Sequence, residues 1–139
     1  MGIGNPLRGD DGAGTFVADI LQAPGWVAVN CGTVPENCTP VVRRLHPEVL
    51  LLVDAAEMGV PPGEFRRIGM DRVERVAFST HHMPLSLLME FLADAAGEIV
   101  FVGIQPAAIG CAGGLSPEVR AGVRRLVDVI SSGDLDAIP

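Results

Sequence analysis

Gly2-Ile3-Gly4-Asn5-Pro6-Leu7-Arg8-Gly9-Asp10-Asp11-Gly12-Ala13-Gly14 opens the chain with glycines around a turn and two adjacent carboxylates ahead of a helix. Five glycines among the first fourteen residues require a backbone that turns sharply or approaches something closely. Downstream, Phe16, Val17, Ile20 and Leu21 fall at helical spacing, and Pro24-Gly25 stops the run. The unit is therefore a strand end, a glycine loop carrying acids, and a helix. Met1 to Gly4 supplies only the stub of that strand, because the β-branched residues that normally lead into such a turn are absent. The expectation is a truncated first strand, a central sheet position left partly empty, and lowered stability.

The rest of the chain repeats the alternation. Trp26-Val27-Ala28-Val29-Asn30-Cys31 reads as a short strand, and Pro35-Glu36-Asn37 opens a helical stretch with Val41, Val42 and Leu45 on one face. Val49-Leu50-Leu51-Leu52-Val53 is apolar without alternation, as in a parallel strand covered on both sides, and it runs into Asp54. After Pro61-Pro62-Gly63, the segment 64–68 suits a short edge strand, and a short helix is expected over 71–77. A polar connection containing His81-His82 ends at Pro84, before a helix with Leu87, Leu88, Phe91 and Leu92. Glu98 to Ile104 is another apolar strand. Ser116-Pro117 reads as a helix N-cap followed by Pro at the first helical position, with Val119, Val123, Leu126, Val127 and Ile130 on the apolar face. The sum is one α/β domain over 1–139: three layers, a mostly parallel twisted sheet, helices on both faces, and a short antiparallel edge strand.

Composition agrees with one domain and narrows the partners. With 139 residues, 48% of them hydrophobic and 19% charged, there is ample material for a buried core. The net charge of −7 and the absence of any Arg cluster longer than a pair argue against nucleic acid. No run is long enough to span a bilayer and no signal peptide opens the chain, so a cytoplasmic location is expected. Cys31, Cys38 and Cys111 lack a Cys-x-x-Cys spacing, and free buried thiols are the expectation.

In such a sheet, ligands collect beyond the carboxyl ends of the strands, where Asp10-Asp11, Asp54 and His81-His82 fall. Carboxylates with an imidazole form a mixed oxygen and nitrogen set suited to Zn²⁺ or Ni²⁺. Taken singly, each has a plainer use: the Asp pair complements a helix N-terminus, Asp54 caps a turn, and a histidine hydrogen-bonds in a loop. Their shared position favours a site. Gly2-Ile3-Gly4 is half of a dinucleotide fingerprint, but Leu7 stands where the third glycine belongs and the acids would repel a pyrophosphate. There is no Gly-x-Ser-x-Gly nucleophile motif.

The opening motif, Leu52-Val53-Asp54-Ala55, Ser79-Thr80-His81-His82-Met83-Pro84-Leu85 and Gly103-Ile104-Gln105-Pro106 together resemble the [NiFe]-hydrogenase maturation endopeptidases, HycI type, collinearly along nearly the whole chain. The resemblance implies a nickel-dependent protease that removes the C-terminal peptide of a hydrogenase large-subunit precursor after nickel insertion. It places metal contact and catalysis on Asp11, Asp54 and His81, with Asp10 and His82 as their neighbours. The nickel is expected to arrive in the precursor, with Zn or Cd able to substitute in crystals. Asn30, Cys31, Gly32 and Thr33 match the segment associated with precursor recognition, although Asn30-Cys31 replaces the Asp-Gly of other branches. The partner implied is the precursor, with no membrane or nucleic acid, and the free protein is expected to be a monomer. The competing reading is a non-catalytic metal-binding or chaperone-like module that docks on the same precursor.

Overall fold

The structure, a computed structural model, describes residues 1–78, 83–110 and 113–139. Its five strands are β1 (Gly2–Ile3), β2 (Asn30–Gly32), β3 (Val49–Ala55), β4 (Phe65–Ile68) and β5 (Glu98–Ile104). They form one sheet in the order β2-β1-β3-β5-β4. All neighbours are parallel except β4, which pairs antiparallel with β5 at the edge. The helices are α1 (Ala13–Ile20), α2 (Thr39–Leu45), α3 (Met70–Val76), α4 (Leu85–Leu92) and α5 (Pro117–Ser132).

Two apolar clusters lie on opposite faces of the sheet, which makes the three layers expected from the sequence. On one face, α1 and α5 bury Val17, Val119, Val123, Leu126 and Ile130 against Leu51, Val53 and Val102. On the other, Val42 of α2, Val73 of α3, and Leu85, Leu88, Met89 and Leu92 of α4 cover Ile3, Leu50, Leu52 and Phe101. Alternate residues of β3 thus feed opposite cores, which is why that strand is apolar without a break. The four buried side chains of α5 recur at helical spacing, and each contributes roughly 1.5–3 kcal/mol of burial toward docking the helix.

Some faces differ from the sequence reading. Leu45, Leu87 and Phe91 are exposed, so α2 offers the core only Val42, and α4 turns Leu85 and Met89 inward instead. Phe91 is used on the surface, where the Arg43 guanidinium lies 4.6 Å from its ring centre and donates to its carbonyl. Strand β2 is confined to Asn30–Gly32 because β1 presents a ladder of only two residues.

β1 occupies a central place in spite of its length. The Met1 amine donates to the Leu51 carbonyl at 2.7 Å, and the Val53 and Gly2 amides donate to the Met1 and Val29 carbonyls. Beside it lies a cavity of about 90 Å³ whose lining includes Met1, Val17, Trp26, Val49, Leu51 and Ile130.

Gly14 fixes how closely α1 approaches the sheet. A Cβ there would stand 2.1 Å from the Val53 carbonyl oxygen and 2.3 Å from that of Ile3, both backbone atoms that cannot swing away. Gly14→Ala is therefore expected to destabilise the fold by at least ~2 kcal/mol, read as a lower urea midpoint. An unchanged midpoint would show that α1 can lift off the sheet without loss.

Candidate active site

The site is built where β1 and β3 end. After β1, the chain passes through two short 3-10 turns, Pro6–Arg8 and Asp10–Gly12, the second running directly into α1. Asn5 starts this path: its side-chain oxygen accepts from the Leu7 amide at 3.0 Å, and its own amide donates to the Asp11 carbonyl at 3.1 Å. Gly4 lies beneath the turn with φ at +140°, and a Cβ on it would come within 1.9 Å of the Asp11 carbonyl oxygen and 3.5 Å of Asp54 Oδ1. The absence of a side chain at Gly4 is what lets the first loop settle against the end of β3.

The backbone of Asp11 and the carboxylate of Asp54 thus both lie close to Gly4. Both are almost fully buried, at 2% and 1% exposure. Asp54 lies within β3, opposite Gly103 of β5, and its Oδ1 accepts the Ala55 amide at 2.8 Å. Carboxylate oxygens at this edge are the donor type that a divalent cation with oxygen preference takes. The donor chemistry therefore fits a metal ion. His81 and His82 lie outside the described residues, so the imidazole assigned from the sequence has no described position. Among the described residues no group of three potential ligands occurs.

Asp10 has a different use from its neighbour. It is fully buried, and its carboxylate accepts four hydrogen bonds: from the Ala107 and Ala108 amides at 2.9 Å, and from the Ser116 amide and hydroxyl at 2.7 Å. Burial alone would push this carboxyl up, but the bonds from Ala108, Ser116 and Ala107 outweigh it and hold the group below the ordinary carboxylate range. Three of these bonds fall on Oδ2 and one on Oδ1, so this carboxylate is engaged in holding the segment after β5. Ser116 is correspondingly not the side-chain N-cap suggested by Ser116-Pro117, because its hydroxyl turns back to Asp10.

Gln105 ties the loops on the other side of the site. Its Oε1 accepts the Met58 amide at 2.8 Å, and its Nε2 donates to Glu57 Oε1 at 3.0 Å. Its backbone also exchanges bonds with Gly63 and Glu64. Sequence reasoning placed Gln105 in a motif but gave it no role. A buried, fully hydrogen-bonded amide at a strand's C-terminal end was the available signal.

The second loop borders the same edge, since the Gly4 amide donates to the Gly32 carbonyl at 2.9 Å. Asn30 bonds Asp19 through its side-chain amide, and its oxygen accepts from the Gly32 amide. Thr33 follows, half-buried. Cys31 and Cys38 are joined in a disulfide with their Cα atoms 6.0 Å apart, which corrects the expectation of free thiols for these two. Their seven-residue separation was not a recognised motif, and only the turn at Pro35–Cys38 brings them together. Cys111 lies outside the described residues.

In an open α/β sheet of this topology ligands collect at the carboxyl edge, where the buried Asp11 and Asp54 lie. The family model for HycI, hydrogenase maturation protease, matches residues 17–132. The chain is 43% identical over 112 residues to the hydrogenase 3 maturation protease of Escherichia coli K12, covering 78% of this chain and 72% of that one. The solution structure of the endopeptidase HycI from Escherichia coli superposes with a TM-score of 0.84 at 35% identity, covering 94% of this chain and 86% of that one. A crystal structure of a [NiFe] hydrogenase maturation protease HycI from Thermococcus kodakarensis gives 0.81 at 32% identity, covering 94% and 87%. The chain belongs to the hydrogenase maturation protease family. It is accordingly a hydrolase, an endopeptidase of the HycI type.

The disulfide closes a short loop, and such a bridge contributes about 2–3 kcal/mol by restricting the unfolded chain. Reduction with dithiothreitol, or Cys38→Ser, is expected to lower the urea midpoint accordingly. A midpoint indifferent to reductant would show that the pair is not bonded in solution.

Proposed function

We propose that the protein removes the C-terminal peptide of a [NiFe]-hydrogenase large-subunit precursor after nickel has been inserted. The reading rests on membership of this family together with two buried acids, Asp11 on the loop after β1 and Asp54 near the end of the adjacent, parallel β3. The nickel is treated as part of the substrate. Asp11, Asp54 and His81 bind it where it is already held by the precursor, so the enzyme engages only a precursor that carries its metal. Zinc or cadmium is expected to occupy the same donors in crystals.

Binding through a metal fixed in the substrate also positions the scissile peptide bond beside the site, which converts recognition into orientation. Hydrolysis then adds water across the C–N bond, the hydroxyl going to the carbonyl carbon and the proton to the leaving amine. Asp10 is given no part in this step, since its carboxylate is engaged by four donors. Asn30, Cys31, Gly32 and Thr33 flank Gly4 on the β2 side and are the proposed contact with the precursor's polypeptide. With Cys31 in a disulfide, contact there is made by Asn30, Gly32, Thr33 and backbone groups rather than by a thiol.

No helix among the described residues is long and apolar enough to cross a membrane. The protein is proposed to act in the cytoplasm as a monomer when free.

Incubation with nickel-loaded precursor tests the reading by the loss of its C-terminal peptide. Asp11→Asn, Asp54→Asn and His81→Ala are each expected to lower the cleavage rate by ~100-fold or more, while His82→Ala retains most activity. Binding of the precursor by the wild-type chain without cleavage would instead identify a docking module. An active His81→Ala chain with an inactive His82→Ala chain would move the imidazole role by one residue.

A further inference from the structure

We propose that Asp10 and Gln105 are positioning residues that set the separation of Asp11 and Asp54, acting through the segment that follows β5. This rests on the reading of Asp11 and Asp54 as the acids that engage the precursor's nickel. Neither Asp10 nor Gln105 needs to touch substrate for the role.

Asp11 lies on the first loop and Asp54 near the end of β3, just ahead of the loop that follows it, and Gly4, close to the Asp11 backbone and the Asp54 carboxylate, has no side chain to hold the two loops in register. Each loop is instead fastened to a third one. From the first loop, the Asp10 carboxylate takes the Ala107 and Ala108 amides and both the amide and hydroxyl of Ser116. The backbone reinforces this, because the Asp10 amide donates to the Ala108 carbonyl and the Gly110 amide to the Arg8 carbonyl, both at 3.1 Å. Gly9 and Ile109 accordingly form an antiparallel bridge. From the loop after β3, Met58 and Glu57 are held by the Gln105 side chain, while Gly63 and Glu64 are held by its backbone.

Along the chain the two attachment points are two residues apart: Gln105 grips one loop, and Ala107 receives the other. The segment after β5 contributes no acid to the Asp11–Asp54 corner, yet both loops refer to it. Charge-assisted bonds to a buried carboxylate are the strongest such ties available, and a buried amide that satisfies several backbone groups locks a loop in one arrangement. A shift of the first loop, or of the end of β3 through the loop that follows it, would change the separation of the two acids.

The test uses Asp10→Asn and Gln105→Ala in the full chain, with cleavage of nickel-loaded precursor and amide hydrogen exchange as independent readouts. Asn at position 10 keeps the shape but presents an amide to N–H donors. In folded variants, kcat is expected to fall about tenfold or more with KM within about threefold, because docking of the precursor is retained while the acids are misplaced. The Asn5 amide, which bonds the Asp11 carbonyl and does not touch Asp10, is expected to exchange faster in Asp10→Asn. Wild-type kcat in both folded variants, a loss confined to KM, or an unchanged Asn5 amide would overturn the proposal. Should these variants fail to fold, Ser116→Ala against Ser116→Thr decides: a kcat loss in the first that the second restores supports the brace, and equal kcat overturns it. If the wild-type chain does not cleave at all, the proposed reaction fails, while the Asn5 exchange rate still decides whether Asp10 orders the Asp11 loop.

Discussion

The carboxylate of Asp10, buried and accepting four hydrogen bonds from three residues about a hundred positions away, is the interaction on which the rest of the site depends. It joins the start of the chain to the loop that leads into α5. A buried anion is tolerated only where donors surround it, and here they come from backbone amides and a hydroxyl with no cation needed. Its neighbour Asp11 is the acid proposed to engage the precursor's nickel.

The second constraint is backbone proximity. Gly14 lets α1 lie on the carbonyls of Ile3 and Val53, and Gly4 lets the first loop lie over Asp54. Without both, the two acids would stand apart by at least the thickness of a side chain. The sheet supplies the remaining alignment: β1 and β3 are adjacent and parallel, so their carboxyl ends deliver Asp11 and Asp54 to the same edge. Gly32 joins that edge through its bond to Gly4, which places the proposed recognition segment next to the acids. The short β1 does not disturb this geometry. Its cavity lies among Met1, Trp26 and Val49, by the opposite ends of the strands.

Much of the architecture was legible in the residues. The unbroken apolar run of β3 announced a doubly covered parallel strand, and the weak alternation of 64–68 announced the antiparallel edge. Less legible were faces that depend on which neighbour a helix meets. Leu87 and Phe91 share helical spacing with Leu88 and Leu92, and only the packing of α4 over β3 and β5 decides that Leu85 and Met89 turn inward. The Cys31–Cys38 bond was hidden for a similar reason, since it depends on a turn that spacing does not announce. Ser116 is the N-cap residue of α5 with Pro117 at the first helical position, as its place in the sequence suggests, but its hydroxyl donates to Asp10 and makes no bond to a helix amide, which no local pattern announces. The division of labour between Asp10 and Asp11 came from family resemblance alone, because two adjacent acids look alike until their donors are seen.

A crystal of the protein soaked with cadmium, measured for anomalous scattering, addresses the central claim most directly. The account predicts one ion at the carboxyl edge of the sheet, within bonding distance of Asp11, Asp54 and His81, with Asp10 still turned to Ala107, Ala108 and Ser116. An ion held by Asp10, or one bound elsewhere with Asp11 and Asp54 both beyond bonding distance, would contradict it.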